Sequence, residues 1–583
     1  MSAEKLITDH IDIWTSAVQA KSASGRGSSK KRELYGIKKL RELILELAVR
    51  GKLVPQDPND EPASVLLERI AVEKAQLVKE KKIKKSKPPS KISNEDEPFV
   101  LPQGWAWSRL GNAGIGATGK TPSTKQTEFF EGTLPFVGPG QITQNGQLLE
   151  AEKFLSSEGL LHSTEAVQGD ILMVCIGGSI GKAAIATQTI GFNQQINALR
   201  PLIMESEYLY AAVSTNSFYE GLLDKATGSA TPIINRGKWE ELLVPIAPLS
   251  EQHRIVAKVD ELMALCDQLE QQTYASLDAH QVLVETLLAT LTNSQDATEL
   301  MANWSRISEH FDTLFTTELS IDQLKQTILQ LAVMGKLVAQ DPNDEPAAKL
   351  LERIAEEKAQ LVKEKKIKKQ KALPPISEDE KPFELPSGWE FAHMQDLCSL
   401  ITDGTHQTPK YTDDGRPFIS AQCVKPFKFM PQHCRYVSEE HYQAYIKNRK
   451  PEFEDILLSR VGAGIGEAAV IDSDIEFAIY VSTGLLKPHK SQIHARYLEL
   501  WLNSPIGRGF SERNTLGKGV SQGNLNLTLI RSFIVSLPPI KEQLRIVAKF
   551  RELNEMCDQL IERLRDSQQT QLQLTDAIVE QAL

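Results

Sequence analysis

The 583-residue sequence has no apolar run long enough to span a bilayer and no basic-then-apolar stretch at its start, so neither a membrane span nor an export signal is expected. A soluble protein kept in the cytoplasm, with no membrane partner, is the expectation. Cysteine is scarce. Cys175, Cys266, Cys398, Cys423, Cys434 and Cys557 are too few and too scattered for a disulfide framework, and no Cys-x-x-Cys pair occurs. An excess of positive charge is also missing: the formal net charge of −10 argues against coating nucleic acid by electrostatics alone. It leaves room for a binder with local basic surfaces or basic partners. With 41% hydrophobic and 24% charged residues there is nevertheless enough apolar material for several cores.

Catalytic signatures are missing too. The chain is read as having no nucleophile elbow, no His-Glu-x-x-His and no Asn-Pro-Pro-aromatic of the kind amino-methyltransferases use. Two glycine-rich stretches invite a nucleotide-binding reading. Gly177 to Lys182 is one residue short of a Walker A loop and has Ala183 where Ser or Thr must hold Mg²⁺; its second copy puts Glu467 at the lysine. Gly462 to Gly466 lacks the Rossmann spacing and runs into a β-type stretch instead of a helix. Both read as hairpin turns. The one candidate metal cluster, Cys423, His433, Cys434 and His441, lacks paired ligand spacing and reads as scattered loop residues, so no metal is expected.

What is there is a repeat. Residues 40 to 87 recur at 324 to 371 with 38 of 48 positions identical, and 248 to 269 recur at 539 to 560. Between these near-identical scaffold segments lie two inserts, 100 to 249 and 385 to 540, that align only at scattered points. Within the first scaffold segment, Leu43, Leu47, Leu66, Ile70 and Leu77 sit at helical spacings broken by Gly51 and the Pro55-to-Pro62 turn, which predicts two helices joined by a loop. The Lys-rich run from Lys79 to Lys87 reads as a solvated helix end and linker, and Ser22 to Ser29 as a flexible linker. In the second segment Ile255, Val259, Leu262, Cys266 and Leu269 step by 4, 3, 4 and 3, matched by Ile546, Phe550, Leu553, Cys557 and Leu560. That is a coiled-coil seam, with both cysteines as small apolar packers. A helix from Ser250 to about Thr292 would be roughly 60 Å long at 1.5 Å per residue, a rod able to hold two globular bodies apart.

The inserts carry short β-type runs at 134 to 137 and 171 to 174 in the first, and at 417 to 419 and 456 to 458 in the second. Near their starts lie donor-rich loops, Lys120 to Lys125 and Asp403 to Tyr411, whose Ser, Thr, Gln, His and Lys side chains are the kind that reach base edges and phosphates. Composition alone serves an ordinary solvated loop equally well. The first insert has nine Lys or Arg against thirteen Asp or Glu, and the second sixteen of each, so neither should grip DNA tightly without another cationic subunit.

Three motif groups then point one way. A proline precedes Glu-Gln-x-Arg-Ile-Val at Glu251 to Val256 and at Glu542 to Val547; Pro-x-Gly-Trp opens each insert at Trp105 and Trp389; Asp-Ile-Leu opens each hairpin at Asp170 and Asp455. In combination these resemble the specificity subunit of type I restriction-modification enzymes along essentially the whole chain. The Gly-Lys-Leu-Val-x-Gln-Asp-Pro-Asn-Asp-Glu-Pro segment further resembles one subgroup of that family. The resemblance implies an α+β chain: two mixed α/β target-recognition domains separated by long helices packed as an antiparallel coiled coil, with an internal pseudo-twofold. Boundaries follow as an N-terminal helical region (1–99), a first recognition domain (100–249), a central spacer (250–384), a second recognition domain (385–540) and a C-terminal helix (541–583). It implies that each domain reads one half of a bipartite double-stranded DNA target and that the helices set the separation. It implies two modification subunits binding S-adenosylmethionine, and restriction subunits using ATP and Mg²⁺, with no cofactor and no catalysis in this chain. Two like helical surfaces would present one docking site twice, and closing that symmetry requires the N-terminal segment to pack beside the C-terminal helix.

By the same mapping, Lys120, Thr121, Ser123, Lys125, Gln141 and Lys182 in the first insert resemble DNA-facing residues. So do His406, Lys410, Tyr411, Gln422, Lys425, Arg460 and Lys518 in the second. Asn235 and Asn526, aligned just before the closing strands, favour a structural turn over a base contact. The rival readings are a coiled-coil scaffold whose inserts bind proteins and, more remotely, an enzyme using the glycine loops.

Overall fold

The computed structural model describes residues 3–21, 31–84, 90–228, 230–367, 369–462, 464–516 and 523–583. The linker at 22 to 29, the end of the Lys-rich run (85 to 87) and Lys518 lie outside the described residues. The chain forms two compact units, residues 1–276 with 567–583, and residues 277–566. Two helices belong to both units. The first long helix, Leu249–Asn293, begins in the first unit and ends in the second; the second, Ile540–Ala582, begins in the second and ends in the first. Each unit therefore holds the start of one long helix and the end of the other, in opposite chain directions.

The paired shorter helices form where the periodicity predicts them, as Tyr35–Val49 with Ala63–Lys79, and Glu318–Val333 with Ala347–Lys363. Gly51 and Gly335 follow the first helix of each pair at φ +65° and +72°. In that left-handed conformation a glycine ends a helix at little cost where other residues are strained.

In the first unit, Arg41 donates to Asp267 (2.6 Å) and Glu270 (2.9 Å) on the first long helix, and Tyr35 donates to Asp576 (2.7 Å) on the second. Lys52 Nζ donates to the carbonyl of Leu583 (2.6 Å) at the end of the second long helix, where a cation complements the helix dipole. The N-terminal frame thus packs beside the C-terminal helix, as the symmetry requires. The second unit repeats the plan with its own residues. Lys325 pairs with Asp558, and Lys336 Nζ donates to the carbonyls of Thr292 (2.9 Å) and Ser294 (2.8 Å) at the end of the first long helix.

The seam residues are inside. Ile255, Leu262, Cys266 and Leu269 are buried and Val259 is half-buried. Ile546, Phe550 and Cys557 are buried, with Leu553 and Leu560 packed against them. The structure adds a third layer to the expected two-helix seam. In the second unit it joins one apolar cluster with Val284, Leu288 and Leu291 of the first long helix and Leu324, Ile328 and Leu331 of the shorter frame helix. Both seam thiols are pushed up by burial, Cys266 to about 11, so they remain protonated packers.

The body of each insert is two four-stranded sheets. In the first insert an antiparallel sheet runs in the order Gly114–Thr118, Ile196–Pro201, Ile171–Val174, Ala183–Ile185; the second insert repeats it as Cys398–Asp403, Thr483–Pro488, Ile456–Ser459, Ala468–Val470. A second sheet shares three strands in both, with the parallel pair 134–137/190–192 matched by 416–419/478–479. Its fourth strand differs: Thr164–Ala166 adds to one edge in the first insert, Tyr411–Thr412 to the opposite edge in the second. A closing two-stranded ladder, 106–109 with 243–246 and 390–393 with 534–537, ties the ends of each insert together.

Candidate nucleic-acid interface

The motifs that open each insert turn out to be joints. Trp105 Nε1 donates to Glu251 Oε2 (2.9 Å), and Gln56 Nε2 donates to Glu251 Oε1 (3.1 Å), so one buried carboxylate collects three motifs. Burial raises the pKa of this acid, opposed by its two donors. Gln252 next to it accepts from Glu205 N and donates to Ala247 O, while Arg254 donates to Asp60 (2.6 Å). Gln340, Glu542, Gln543, Arg545 and Asp344 repeat all of these contacts but the tryptophan's. The aspartate of Asp-Ile-Leu is likewise structural. Asp170 accepts from Val167 N and pairs with Arg200 (2.9 Å), and Asp455 accepts from Glu452 N and pairs with Lys487 (2.9 Å). Burial raises the Asp455 pKa, and the nearby lysines oppose it.

The two loops spring from the same post. The second strand of each insert ends at Thr118 or Asp403 and passes into a glycine pressed against main chain. A Cβ on Gly119 would lie 1.9 Å from Asn193 O, and one on Gly404 2.0 Å from Ile479 O. Beyond Gly119, Lys120, Ser123 and Lys125 are exposed, and Thr121 Oγ1 donates to Gln194 (2.7 Å). Beyond Gly404, His406 and Lys410 are exposed, and Tyr411 lies under the Arg435 guanidinium at 4.6 Å. Of the loop residues expected to face DNA, only Thr121 is not exposed; it is half-buried.

The hairpins form as predicted. Ile171 to Met173 pair with Ile185 to Ala183, and Ile456 to Leu458 pair with Val470 to Ala468. Gly177 to Gly181 does spell the Gly-x-Ser-x-Gly pattern, which corrects the expectation of its absence. Ser179 stands on a turn between two strands, however, and not at a strand-to-helix elbow. The like-spelled Gly519 to Gly523 lies mostly outside the described residues. Lys182 is half-buried behind its turn, and its counterpart Glu467 is 3.3 Å from Lys425. Gln141 Oε1 accepts from Gly138 N, and Gln422 Nε2 donates to His433 O, so each glutamine already serves its own turn.

Arg460 departs from expectation. It is only 5% exposed, donates from Nε to Leu525 O (2.9 Å) and from NH1 to Val481 O (3.1 Å), and pairs with Asp403. A guanidinium spent inside the domain is a brace and not a surface reader. Its counterpart is Cys175, whose thiol receives Asn197 Nδ2 at 3.1 Å, while Thr118 donates to Asn197 Oδ1 (2.9 Å). Burial pushes the Cys175 thiol up to about 12. At the Asn197 position the second insert has Gly484, where a Cβ would lie 3.2 Å from Arg460 Cδ. A neutral Thr-Asn-Cys trio in one insert is thus an ionic Asp-Arg pair over a glycine in the other.

Asn235 and Asn526 are turn residues, capping short helices by accepting from Lys238 N (2.9 Å) and Thr528 N (2.8 Å). Cys423 is buried in an apolar cluster and His441 stacks on Tyr445, and no metal-holding group of His, Cys, Asp or Glu occurs among the described residues. Sequence reading missed Tyr219 and Arg508, which sit at matching helix positions against the hairpin glycines Gly181 and Gly466. It also missed Arg449, which donates to the carbonyls of Asp403 (2.9 Å) and Gly404 (2.7 Å). Their only sequence signal was position within the aligned halves.

Comparison with known proteins agrees with this geometry. The family described as "Type I restriction modification DNA specificity domain" matches residues 102–279 and 386–567. The EcoEI type I restriction enzyme specificity subunit of Escherichia coli is 44% identical over all of this chain and all of its own length, and the EcoAI specificity subunit of the same organism is 43% identical, also over both full lengths. A chain from a solved structure concerned with complex assembly and conformational transition of the type I R-M system aligns at a TM-score of 0.50. It is 17% identical and covers 83% of this chain and 99% of that one, a likeness of fold.

Proposed function

The chain belongs to the type I restriction-modification DNA specificity family, as a specificity subunit that recognises the DNA target, and from that membership we propose how it works. Each insert reads one half of a bipartite double-stranded target, the long helices set the half-site separation, and the duplicated frame docks two modification subunits. Methylation with S-adenosylmethionine, and ATP- and Mg²⁺-dependent translocation and cutting, belong to the modification and restriction partners. This chain supplies the choice of sequence and no catalysis.

The observation that carries the reading is a contrast. Two inserts of common topology are held by near-identical joints at Glu251 and Glu542, yet their surface loops and the polar groups beneath them differ. A duplicated mount with divergent faces is what two different half-sites require, since direct readout depends on which side chains meet which base edges. The inserts' neutral-to-acidic balance fits shared responsibility, with partner subunits supplying phosphate contacts.

Exchange of residues 385 to 540 for those of a differing relative, in the assembled modification complex, tests the reading. Adenine-methylation mapping should then change one half-site and leave the other and the spacer intact. Change in both half-sites or in neither would overturn it. A footprint should show two protected blocks; a single continuous block, or none, would favour the protein-binding scaffold.

A further inference from the structure

Resting on the second insert as a DNA reader, we infer that His406 is a specificity-determining side chain and that Asp403, braced by Arg460, is the residue that positions it. The backbone from which His406 projects is fixed on both sides. Arg449 clamps the carbonyls of Asp403 and Gly404, and Thr405 exchanges main-chain hydrogen bonds with the neighbouring segment, from its N to Ile479 O (3.0 Å) and from Val481 N to its own O (3.0 Å). The side chain is oriented as well. His406 Nε2 lies 3.2 Å from Asp403 Oδ2, the same oxygen that receives Arg460 NH1. The aspartate is 6% exposed, whereas the His406 side chain is 72% exposed. A buried carboxylate held by Arg460 thus lies behind an exposed imidazole on a fixed backbone.

That arrangement has a chemical consequence. A carboxylate facing Nε2 favours the tautomer with its proton there, which makes Nδ1 of the neutral ring an acceptor. An acceptor on an exposed ring matches the exocyclic amine of adenine or cytosine at a major-groove edge. Lys410 and Lys425, also exposed in this insert, are point charges suited to phosphate and carry no such preference. The first insert lacks the device: its Thr118, Asn197 and Cys175 bond to one another, and the loop above them leads with Lys120. The three-position exchange beneath the loops is then part of what makes the two readers different. Glycine at 484 leaves room for Arg460, whose Cδ would lie 3.2 Å from a Cβ there.

The test uses the full chain in its complex with modification subunits, with matched and single-mismatch DNA as probes and melting of the complex as the check on folding. His406→Ala should lower discrimination at one base pair of the second half-site by about tenfold, the worth of one good base contact, with the first half-site unchanged. Asp403→Asn should relax the same base pair, and the double variant should be no worse than His406→Ala. If Asp403→Asn fails to assemble, Asp403→Glu keeps the charge but moves the carboxylate, and it should shift discrimination at that same pair. An unchanged target in His406→Ala overturns the reader role, and an unchanged target in the Asp403 variant that assembles overturns the positioning role. Relaxation in both half-sites overturns both. If insert exchange still changes one half-site while His406→Ala changes nothing, the inference fails and the proposed function stands; if exchange changes neither or both, the function itself falls.

Discussion

Trp105 Nε1 donates to Glu251 Oε2 at 2.9 Å, and through this pair the opening turn of the first insert is pinned to a residue in the first turn of a long helix, 146 residues further along the chain. The second copy of the joint is looser. Trp389 Nε1 is buried without a hydrogen bond of good geometry, although it lies near enough to Glu542 to help hold that carboxyl's pKa down against burial. A made bond in one unit and an unmade one in the other leads to an asymmetric prediction. Trp105→Phe should cost about 1–3 kcal/mol because it leaves a buried carboxylate oxygen without its donor. Trp389→Phe should cost clearly less. Denaturant unfolding of the two variants measures the difference, and equal losses would contradict it.

The second prediction concerns the brace under the second reader. Arg460→Ala leaves Asp403 as a buried carboxylate without its cation, and breaking such a pair costs about 3–5 kcal/mol. The loss should fall on the second insert alone, so hydrogen exchange should speed up in strands 398–403 and 483–488 while strands 114–118 and 196–201 keep their protection. Faster exchange in the first insert as well would mean the brace is not local.

How much of this was legible depended on distance along the chain. The seam at Ile255 to Leu269, the hairpins and the Asn235 and Asn526 caps each rest on residues within one or two turns of each other, so spacing alone exposed them. The Arg460 environment is set by Asp403, 57 residues away, and by a glycine at 484, and no local pattern announces either. A lone arginine beside a glycine hairpin looks the same whether it faces solvent or an aspartate. The Trp105, Gln56 and Glu251 motifs were legible as a signature but not as one joint, because their meeting point exists only after folding.

A pH dependence follows at the contact between the Ala347–Lys363 helix and the second insert. His489 is 1% exposed in its side chain and lies 3.2 Å from Glu357. Burial lowers its pKa from the ordinary 6.5, outweighing the pull of Glu357 in the other direction. A histidine depressed in the folded state adds stability above its unfolded pKa, and that contribution is lost as pH falls below 6.5 through the folded value. Melting midpoints of the wild type should therefore drop on acidification in that range, and His489→Gln should flatten the part of the drop that belongs to this site. An identical acid slope in the variant would remove His489 as the cause.

The last prediction addresses the long helices as a ruler. Both pass from one unit to the other, and both change unit within one residue of the same place in the repeat, after Ser276 in the first and after Asp566 in the second. Lengthening one alone would set its seam out of step with the other. Adding seven residues to each keeps the faces in register, since seven residues are nearly two turns, and lengthens each rod by about 10 Å. Duplex DNA rises about 3.4 Å per base pair, so the preferred spacer should grow by about three base pairs while both half-sites stay as they were. Methylation mapping with the lengthened chain checks it. A longer spacer with altered half-sites would mean the insertion distorts the readers, and an unchanged spacer would mean that something other than the rods sets the distance. The joints at Glu251 and Glu542 argue for a longer spacer with both half-sites unchanged, because each fastens its reader to the rod's opening turn, well before the points after Ser276 and Asp566 where residues would be added.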